Sequence, residues 1–184
     1  MKTLLCEHGF GDIWECQSNT NLNKFHVVFK QRLIDNFVQK WIADIQNNKV
    51  MDLYSTFKLN FELEKYLEIL PYDLRIYISR LRLASHSLRI QTGRYAGQRL
   101  ERNKRVCLIC NNNDIEDEYH FVLVCSEYKD IRKKYIKRYF YNRPSVFKFV
   151  QLLQCQDKEV LFKIGKYIKE AFIFRNTVIN IQNE

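Results

Sequence analysis

The chain has 184 residues, of which 46% are hydrophobic and 14% aromatic, enough apolar material for a folded core and too much for an intrinsically disordered protein. Its formal net charge of +9 suits a polyanionic partner such as nucleic acid or an anionic membrane surface, although solubility alone is the plainer explanation of that charge. Only 2 prolines and 5 glycines occur, which disfavours a turn-rich all-β protein, and no apolar run reaches the roughly 18 residues that span a bilayer.

Cysteine usage bears on the cellular compartment. The chain has 6 cysteines, but the stretch MKTLLCEHGFGD has too short an apolar run for a signal peptide, so a secreted disulfide framework is not expected. We therefore expect an intracellular protein, in the nucleus or the cytoplasm, without membrane association. In the N-terminal segment 1–23, Cys6, His8 and Cys16 fit no common ligand spacing and have no fourth ligand nearby, so a metal site is not predicted there.

Residues 24–93 form a predicted helical part. Apolar residues recur every three or four positions over 24–47, which predicts an amphipathic helix of about six turns. Shorter helices are predicted over 51–59 and 62–70. The apolar positions of the first helix are Phe25, Phe29, Ile34, Phe37, Val38, Trp41, Ile42 and Ile45.

A further helix is predicted over 71–90, because the fixed φ and missing N–H of Pro71 suit a first helical turn. Arg75, Arg82 and Arg89 follow one another at a spacing of seven, so on one helix they would lie within about 20° of each other. We interpret them as a solvated rim whose stems cover apolar surface. A stripe that tracks phosphates is the alternative interpretation.

Two basic segments follow Gly93, which is placed to end that helix. Residues 94–105 hold one acid, Glu101, against five cations: Arg94, Arg99, Arg102, Lys104 and Arg105. A helix predicted over 127–141 has the apolar stripe Tyr128, Ile131, Tyr135 and Tyr139. Its cations lie mostly opposite and are Lys129, Lys133, Lys134, Lys137 and Arg138.

Two helices are predicted in the C-terminal part, over 146–153 and 158–181, after a break at Pro144. The longer one has a continuous apolar face. Its members are Val160, Leu161, Ile164, Ile168, Phe172, Ile173 and Val178.

Between the basic segments lies the run RVCLICNNNDIEDEYHFVLVC, which contains the pattern C-x2-C-x9-H-x4-C. Two cysteines separated by two residues can direct both sulfurs at one ion from a tight turn, and a histidine and a cysteine can complete a tetrahedron. The pattern predicts a closed, structural Zn²⁺ site with the ligands Cys107, Cys110, His120 and Cys125. Three buried cysteines and a surface histidine without metal are the alternative.

Catalysis is not predicted. Glu116, Asp117 and Glu118 precede the histidine, and we interpret them as partners of neighbouring arginines or as groups that orient His120 through its second ring nitrogen. The chain has no H-E-x-x-H, no P-loop, no G-x-S-x-G, and no H-x-E motif ahead of its C-x-x-C. No small-molecule substrate is therefore expected.

Four stretches carry a family resemblance: GFGDIW (9–14), FKQRLIDNFVQKW (29–41), LRLASHSLRIQTGRY (81–95) and CLICNNNDIEDEYHFVLVCSEYKDIR (107–132). Together they resemble the C-terminal tail of LINE-type, non-LTR retrotransposon reverse transcriptases. The C-x2-C…H-x4-C core is the most specific part of the resemblance. The resemblance implies a CCHC zinc site on Cys107, Cys110, His120 and Cys125, and a role in holding the element's RNA or its target DNA.

The chain departs from those elements in two ways. No Y/F-x-D-D aspartate pair occurs, and Pro144 is followed by Ser145 where some site-specific elements have the P-D of an endonuclease. The resemblance therefore implies a tail detached from its polymerase, either a genomic remnant or a domesticated module.

The sequence thus predicts a mainly α protein, a single domain over 1–184 with parts 1–23, 24–93, 94–141 and 142–184 and a small zinc knuckle between helices. The predicted function is RNA or DNA binding through phosphates, without catalysis. The alternative is a protein-interaction module, or a remnant without activity whose zinc only holds the fold. The predicted phosphate-binding residues are Arg94, Arg99, Arg102, Arg105, Lys129, Lys133 and Lys137.

Overall fold

The structure is a computed structural model and describes residues 1–16, 21–95, 97, 99–110 and 112–182. In this part of the chain the regular elements are helical, and an isolated bridge between Val106 and Ile115 takes the place of a sheet. The mainly α prediction is confirmed. The helices are α1 (Lys2–Glu7), α2 (Gly11–Cys16), α3 (Leu22–Asn47), α4 (Asp52–Phe57), α5 (Lys65–Ile69), α6 (Tyr72–Arg82), α7 (Arg89–Thr92), α8 (Lys129–Tyr135), α9 (Arg138–Tyr141), α10 (Val146–Gln154) and α11 (Lys158–Gln182).

The chain divides into two compact units, Met1–Lys49 and Val50–Glu184. In the first unit, Phe10 meets Phe25 and Phe29 edge to face at ring-centroid distances of 5.7 and 5.4 Å. His8, one of the three residues considered for an N-terminal metal site, is instead hydrogen-bonded to Asn36 at 2.8 Å. Among the described apolar residues of α3 only Ile45 is buried, whereas Phe37 is 55% exposed. The single-domain organisation stays a prediction.

The second unit is built around α11, which packs against α6 and α8. Gly165 allows the closest approach, because a Cβ atom there would lie 3.1 Å from the Cβ of Leu74 in α6. The inner face of α11 is formed by Leu161, Ile164, Tyr167, Ile168, Ala171, Phe172 and Arg175. Ile173, predicted on this face, is 52% exposed, since it lies about a third of a turn from the line through Ile168 and Phe172.

The helix predicted over 71–90 is interrupted. α6 ends at Arg82, and Ala84 then adopts a left-handed φ of 55° that turns the chain before α7 begins at Arg89. The helix predicted over 127–141 is likewise split into a 3₁₀ turn, α8 and α9, and Tyr139 is 54% exposed. The predictions of one continuous helix over 71–90 and one over 127–141, each with its cations on one face, are therefore wrong.

The prediction that Arg75, Arg82 and Arg89 form a solvated rim on the helix over 71–90 is also wrong. Arg82 is buried, with its guanidinium 4.0 Å from the ring centre of Phe57, and it donates to Glu64 at 2.9 Å and to the carbonyl oxygen of Leu153 at 2.7 Å. Its guanidinium group is therefore part of the core and is not available to solvent. None of the helices in the described part of the chain is both long and apolar enough to cross a bilayer.

The break at Ala84 gives a stability prediction. A left-handed conformation costs an L-residue about 1–2 kcal/mol relative to glycine, so Ala84→Gly is expected to preserve or raise the free energy of unfolding, by up to about 1 kcal/mol. The matched control is Ala171→Gly in the middle of α11, expected to cost about 1 kcal/mol or more. Urea denaturation measures both. Equal losses at the two positions would contradict a strained backbone at Ala84.

Candidate metal centre

The loop that carries Cys107 and Cys110 is closed by backbone pairing. The N–H of Cys107 donates to the carbonyl of Asp114, and the N–H of Glu116 donates to the carbonyl of Arg105, both at 2.9 Å, on either side of the Val106–Ile115 bridge. Asn113 turns the chain within the loop at φ 55°, a region that asparagine tolerates better than most residues. The loop 105–116, which contains the C-x2-C pair, is thus held at its two ends.

The other two predicted ligands are positioned by a π turn, His120–Val124. His120 is its first residue, and Cys125 directly follows its last. Its defining bond runs from the N–H of Cys125 to the carbonyl of His120 at 2.8 Å, and a turn of this width is common at functional sites. The N–H of His120 donates to Asp117 Oδ1 at 2.8 Å, which caps the start of the turn. His120 and Cys125 are therefore one wide turn apart and share a face.

Two distant side chains stabilise this turn by satisfying carbonyl groups. Tyr167 in α11 donates its hydroxyl to the carbonyl of Phe121 at 2.7 Å. Arg132 in α8 is buried and donates to the carbonyls of Val122 and Cys125, both at 2.8 Å. Because buried carbonyl groups without partners are costly, these bonds anchor the turn to the helical body.

The four predicted ligands come together. Cys107, Cys110, His120 and Cys125 are all buried, and one ligand atom from each lies within 4.8 Å of every other. Cys110 Sγ and His120 Nε2 are 3.3 Å apart. Around a tetrahedral ion with metal–sulfur bonds of about 2.3 Å, ligand atoms are roughly 3.7 Å from one another, so small side-chain movements would complete the coordination. The cluster is compatible with a metal ion.

The ionisation of the thiols also suits a cation. A hydrogen bond from the Cys125 thiol lowers the pKa of Cys107 to about 3. That same bond and burial raise the pKa of Cys125, and burial raises the pKa of Cys110. The cluster alone thus holds one thiolate easily and resists forming more, and a divalent cation at its centre would stabilise all three.

His120 directs its two ring nitrogens to different partners. Nε2 faces the thiols, and Nδ1 lies 3.7 Å from Asp114 Oδ2. A carboxylate beside the outer nitrogen is the usual device for orienting a ligating histidine. The sequence predicted this role for residues 116–118, whereas the carboxylate found beside Nδ1 is that of Asp114, at a separation longer than a hydrogen bond.

The acidic run instead stabilises the surrounding fold. The sequence predicted neighbouring arginines as partners, yet Glu116 is bound by Arg175 of α11, 59 positions away, through Nε–Oε1 at 2.7 Å and Nη2–Oε2 at 2.8 Å. The N–H of Arg89 adds a bond at 2.7 Å to Glu116 Oε2, and the Cys107 thiol lies 4.0 Å from Oε1. Glu118 contacts His86 at 2.8 Å.

The first basic segment contains both exposed and buried cations. Arg99 and Arg102 are exposed, and Arg94 is half-buried and donates to the carbonyl of Ile90. Arg105 is buried and donates to the carbonyls of Leu100 and Ile90. Burial lowers the pKa of Arg105, and the charges of Arg94, Arg99 and Arg102 lower it further. We assign Arg105 to the fold because its donors are directed inward.

The second basic segment exposes the predicted lysines. Lys129 and Lys133 lie on α8 and Lys137 precedes α9, all three on the surface. Lys133 is 3.3 Å from Asp130, an exposed pair that contributes little. Lys134 is engaged by Glu170 at 3.1 Å and was not among the predicted binding residues.

Three residues that stabilise the site were missed from the sequence: Arg132, Tyr167 and Arg175. Arg175 could have been found, because it continues the buried line of Ile168 and Phe172 at helical spacing and so needs a buried acid.

No family model, curated protein or solved structure matches the chain. The retrotransposon resemblance stays a prediction.

The Glu116–Arg175 pair gives the second prediction. Arg175→Met would leave the carboxylate of Glu116 buried without its cation, so the free energy of unfolding should fall by about 3–5 kcal/mol. Adding Glu116→Gln to that variant removes the stranded charge and should restore part of the loss. Arg138→Met, at an exposed position of α9, is the control for losing one arginine. Chemical denaturation at constant metal load measures all four proteins, and a loss in Arg175→Met no larger than in the control would contradict the assignment.

Proposed function

We propose that the chain is a zinc-stabilised nucleic-acid-binding module without catalysis of its own. The observation that carries the proposal is a run of basic side chains directly before the cysteine loop, in which Arg99 and Arg102 are exposed and their charges, with that of Arg94, act on buried Arg105. Cations gathered this closely repel one another, and phosphate groups relieve that repulsion.

Zinc is the metal that this donor set favours. Three thiols and one imidazole are a common ligand set of structural Zn²⁺, whereas Mg²⁺ and Ca²⁺ prefer oxygen. Four protein ligands leave no position for water or substrate, so the ion would serve the fold and not a reaction. Bound zinc with three thiolates carries one net negative charge, which leaves the chain at about +8.

The metal proposal has a direct test. Native mass spectrometry of the purified protein is expected to show one zinc per chain, removed by a chelator together with part of the helical circular dichroism. Cys110→Ser should lower zinc affinity by several orders of magnitude. Cys155→Ser, at a half-buried cysteine outside the cluster, is the matched control and should keep the metal. Purified wild-type protein without zinc would overturn the proposal.

Nucleic-acid binding rests on cations that are both fixed and available. Arg99 and Arg102 are exposed, and no carboxylate in the described part of the chain lies within 4 Å of their guanidinium groups. Arg105, bonded to the carbonyls of Leu100 and Ile90, holds the segment that carries them. An exposed cation on a fixed segment loses less entropy on meeting a phosphate than one on a loose tail.

The second basic segment and the resemblance add support. Lys129, Lys133 and Lys137 present three more surface charges on the far side of the CCHC sequence. The retrotransposon tails that the chain resembles are thought to hold RNA or DNA, and the same four positions would carry their zinc. We therefore include these lysines in the proposed phosphate-binding set.

Salt dependence distinguishes this binding from nonspecific stickiness. Affinity for RNA or DNA should fall by roughly 0.7–0.9 log unit per log unit of salt for each phosphate contacted. Substituting glutamine at Arg94, Arg99 and Arg102 should weaken binding and flatten that slope by about two to three contacts. The control removes three exposed charges from α3, by glutamine at Lys24, Lys30 and Lys40, and should change the slope much less. Wild-type protein that causes no mobility shift at low salt would refute the proposal.

A protein partner is the second candidate, favoured by a specific observation. α3 exposes several large apolar side chains, Val27 at 66%, Phe37 at 55% and Ile34 at 46%. Grouped apolar surface of this kind is typical of interaction sites. Glutamate at Val27 and Phe37 should abolish capture of such a partner and leave nucleic-acid affinity unchanged.

A further inference from the structure

A cleft of about 710 Å³ opens in the second unit, beside the C-terminal end of α6, the segment 83–88, α7 and α11. Pockets of this size commonly enclose a small organic group. Its lining combines aromatic rings, one cation and several hydrogen-bonding groups, among them Tyr77, Arg80, His86, Tyr95, Phe172 and Asn176. Neither the metal centre nor the basic segments account for it.

The aromatic lining is part fixed and part open. Phe172 is buried and held by Phe121 at a ring-centroid distance of 4.6 Å, and Tyr77 lies nearly parallel to it at 6.4 Å. Tyr95, by contrast, is 76% exposed and lies three residues after Thr92, the last residue of α7. A planar ring entering the cleft would therefore find one exposed aromatic surface at the rim and buried or half-buried ones below.

The polar part of the lining is oriented by buried contacts. His86 Nε2 is 2.8 Å from Glu118, and its Nδ1 accepts from the N–H of Leu88 at 3.4 Å. Gln91 is buried and directs its Nε2 to Glu118 at 3.4 Å. The other amide atom, Gln91 Oε1, is buried without a hydrogen-bond partner among the described residues. Because that atom is shielded from solvent, Gln91 fixes the wall of the cleft, and the polar groups open to a ligand are those of exposed lining residues such as Ser85 and Asn176.

A cation lies at the edge of the cleft. Arg80 is exposed, and no carboxylate in the described ranges pairs with its guanidinium. Tyr95 directly follows Arg94, so the aromatic rim continues into the proposed phosphate-binding segment. A nucleobase, whose sugar is linked to a phosphate on either side, matches this combination of an aromatic rim and neighbouring cations.

We propose that the cleft binds an unpaired nucleobase of single-stranded nucleic acid, stacked on Tyr95, with an adjacent phosphate on Arg80. The inference rests on the proposed function and makes it specific, because bases inside a duplex are stacked on each other and cannot enter a concave site. Aromatic stacking accepts any base, so the site favours single strands without strong sequence preference.

The test compares affinities by fluorescence anisotropy, at low salt and with zinc-loaded protein, for a single strand, a duplex and an abasic strand of equal length. Tyr95→Ala should weaken single-strand binding by about five- to a hundred-fold and leave duplex and abasic-strand binding unchanged. Arg80→Gln should weaken single-strand binding by severalfold and flatten its salt slope by about one phosphate. The controls are Tyr72→Ala and Arg32→Gln, an exposed tyrosine and an exposed arginine outside both the cleft and the basic segments, which should both keep wild-type affinity.

The outcomes separate the two proposals. Equal wild-type affinity for the base-bearing and the abasic strand, or an unchanged single-strand affinity in Tyr95→Ala, overturns the cleft proposal. If glutamine at Arg94, Arg99 and Arg102 still weakens binding in that case, the phosphate-binding function stands alone. Absence of any wild-type binding at low salt overturns both. Because Tyr95 is exposed, its substitution should not unfold the protein, and thermal melting verifies this.

Discussion

The carboxylate of Glu116 is the group on which the second unit depends. It is buried, it receives two bonds from Arg175 of α11 and one from the backbone of Arg89 in α7, and it lies next to the Cys107 thiol. A buried carboxylate is tolerated only when its lone pairs and its charge are both matched, so the cysteine loop, α7 and α11 must all be in place together. Burial by itself would lower the pKa of Arg175, but the bonds to Glu116 outweigh it and raise that pKa. Arg175 therefore stays charged throughout the physiological range.

The π turn applies the same principle to backbone groups. Its carbonyls at Phe121 and Val122 are satisfied by Tyr167 and Arg132, side chains from α11 and α8. His120 and Cys125 consequently receive their positions from the helical core, while Cys107 and Cys110 receive theirs from the paired loop. A metal ion would join these two halves.

What was predictable from the sequence follows the range of the interactions. The ligand set could be predicted because coordination requires local spacing, and the long helices because apolar periodicity is local too. The break at Ala84 could not, since an alanine with positive φ has no signature in composition. The buried positions of Arg82 and Arg105 could not be predicted either. Arginine is usually exposed, and the carbonyl groups that accept their hydrogen bonds lie far away in the sequence.

The buried arginines also determine how much of the net charge reaches the surface. Arg82 and Arg175 face carboxylates, so their charges are cancelled locally. Arg105 and Arg132 face carbonyl groups, and no carboxylate in the described part of the chain pairs with either. Both lie beside the cysteine cluster: Arg105 is two residues before Cys107 in the sequence, and Arg132 donates to the carbonyl of Cys125. Asp114, 3.7 Å from His120 Nδ1, and Asp117, which accepts from the His120 N–H, bring two carboxylates to the same cluster. The two buried arginines are therefore balanced by neighbouring acids, and the positive charge available to a phosphate near the metal centre is that of exposed residues such as Arg99 and Arg102.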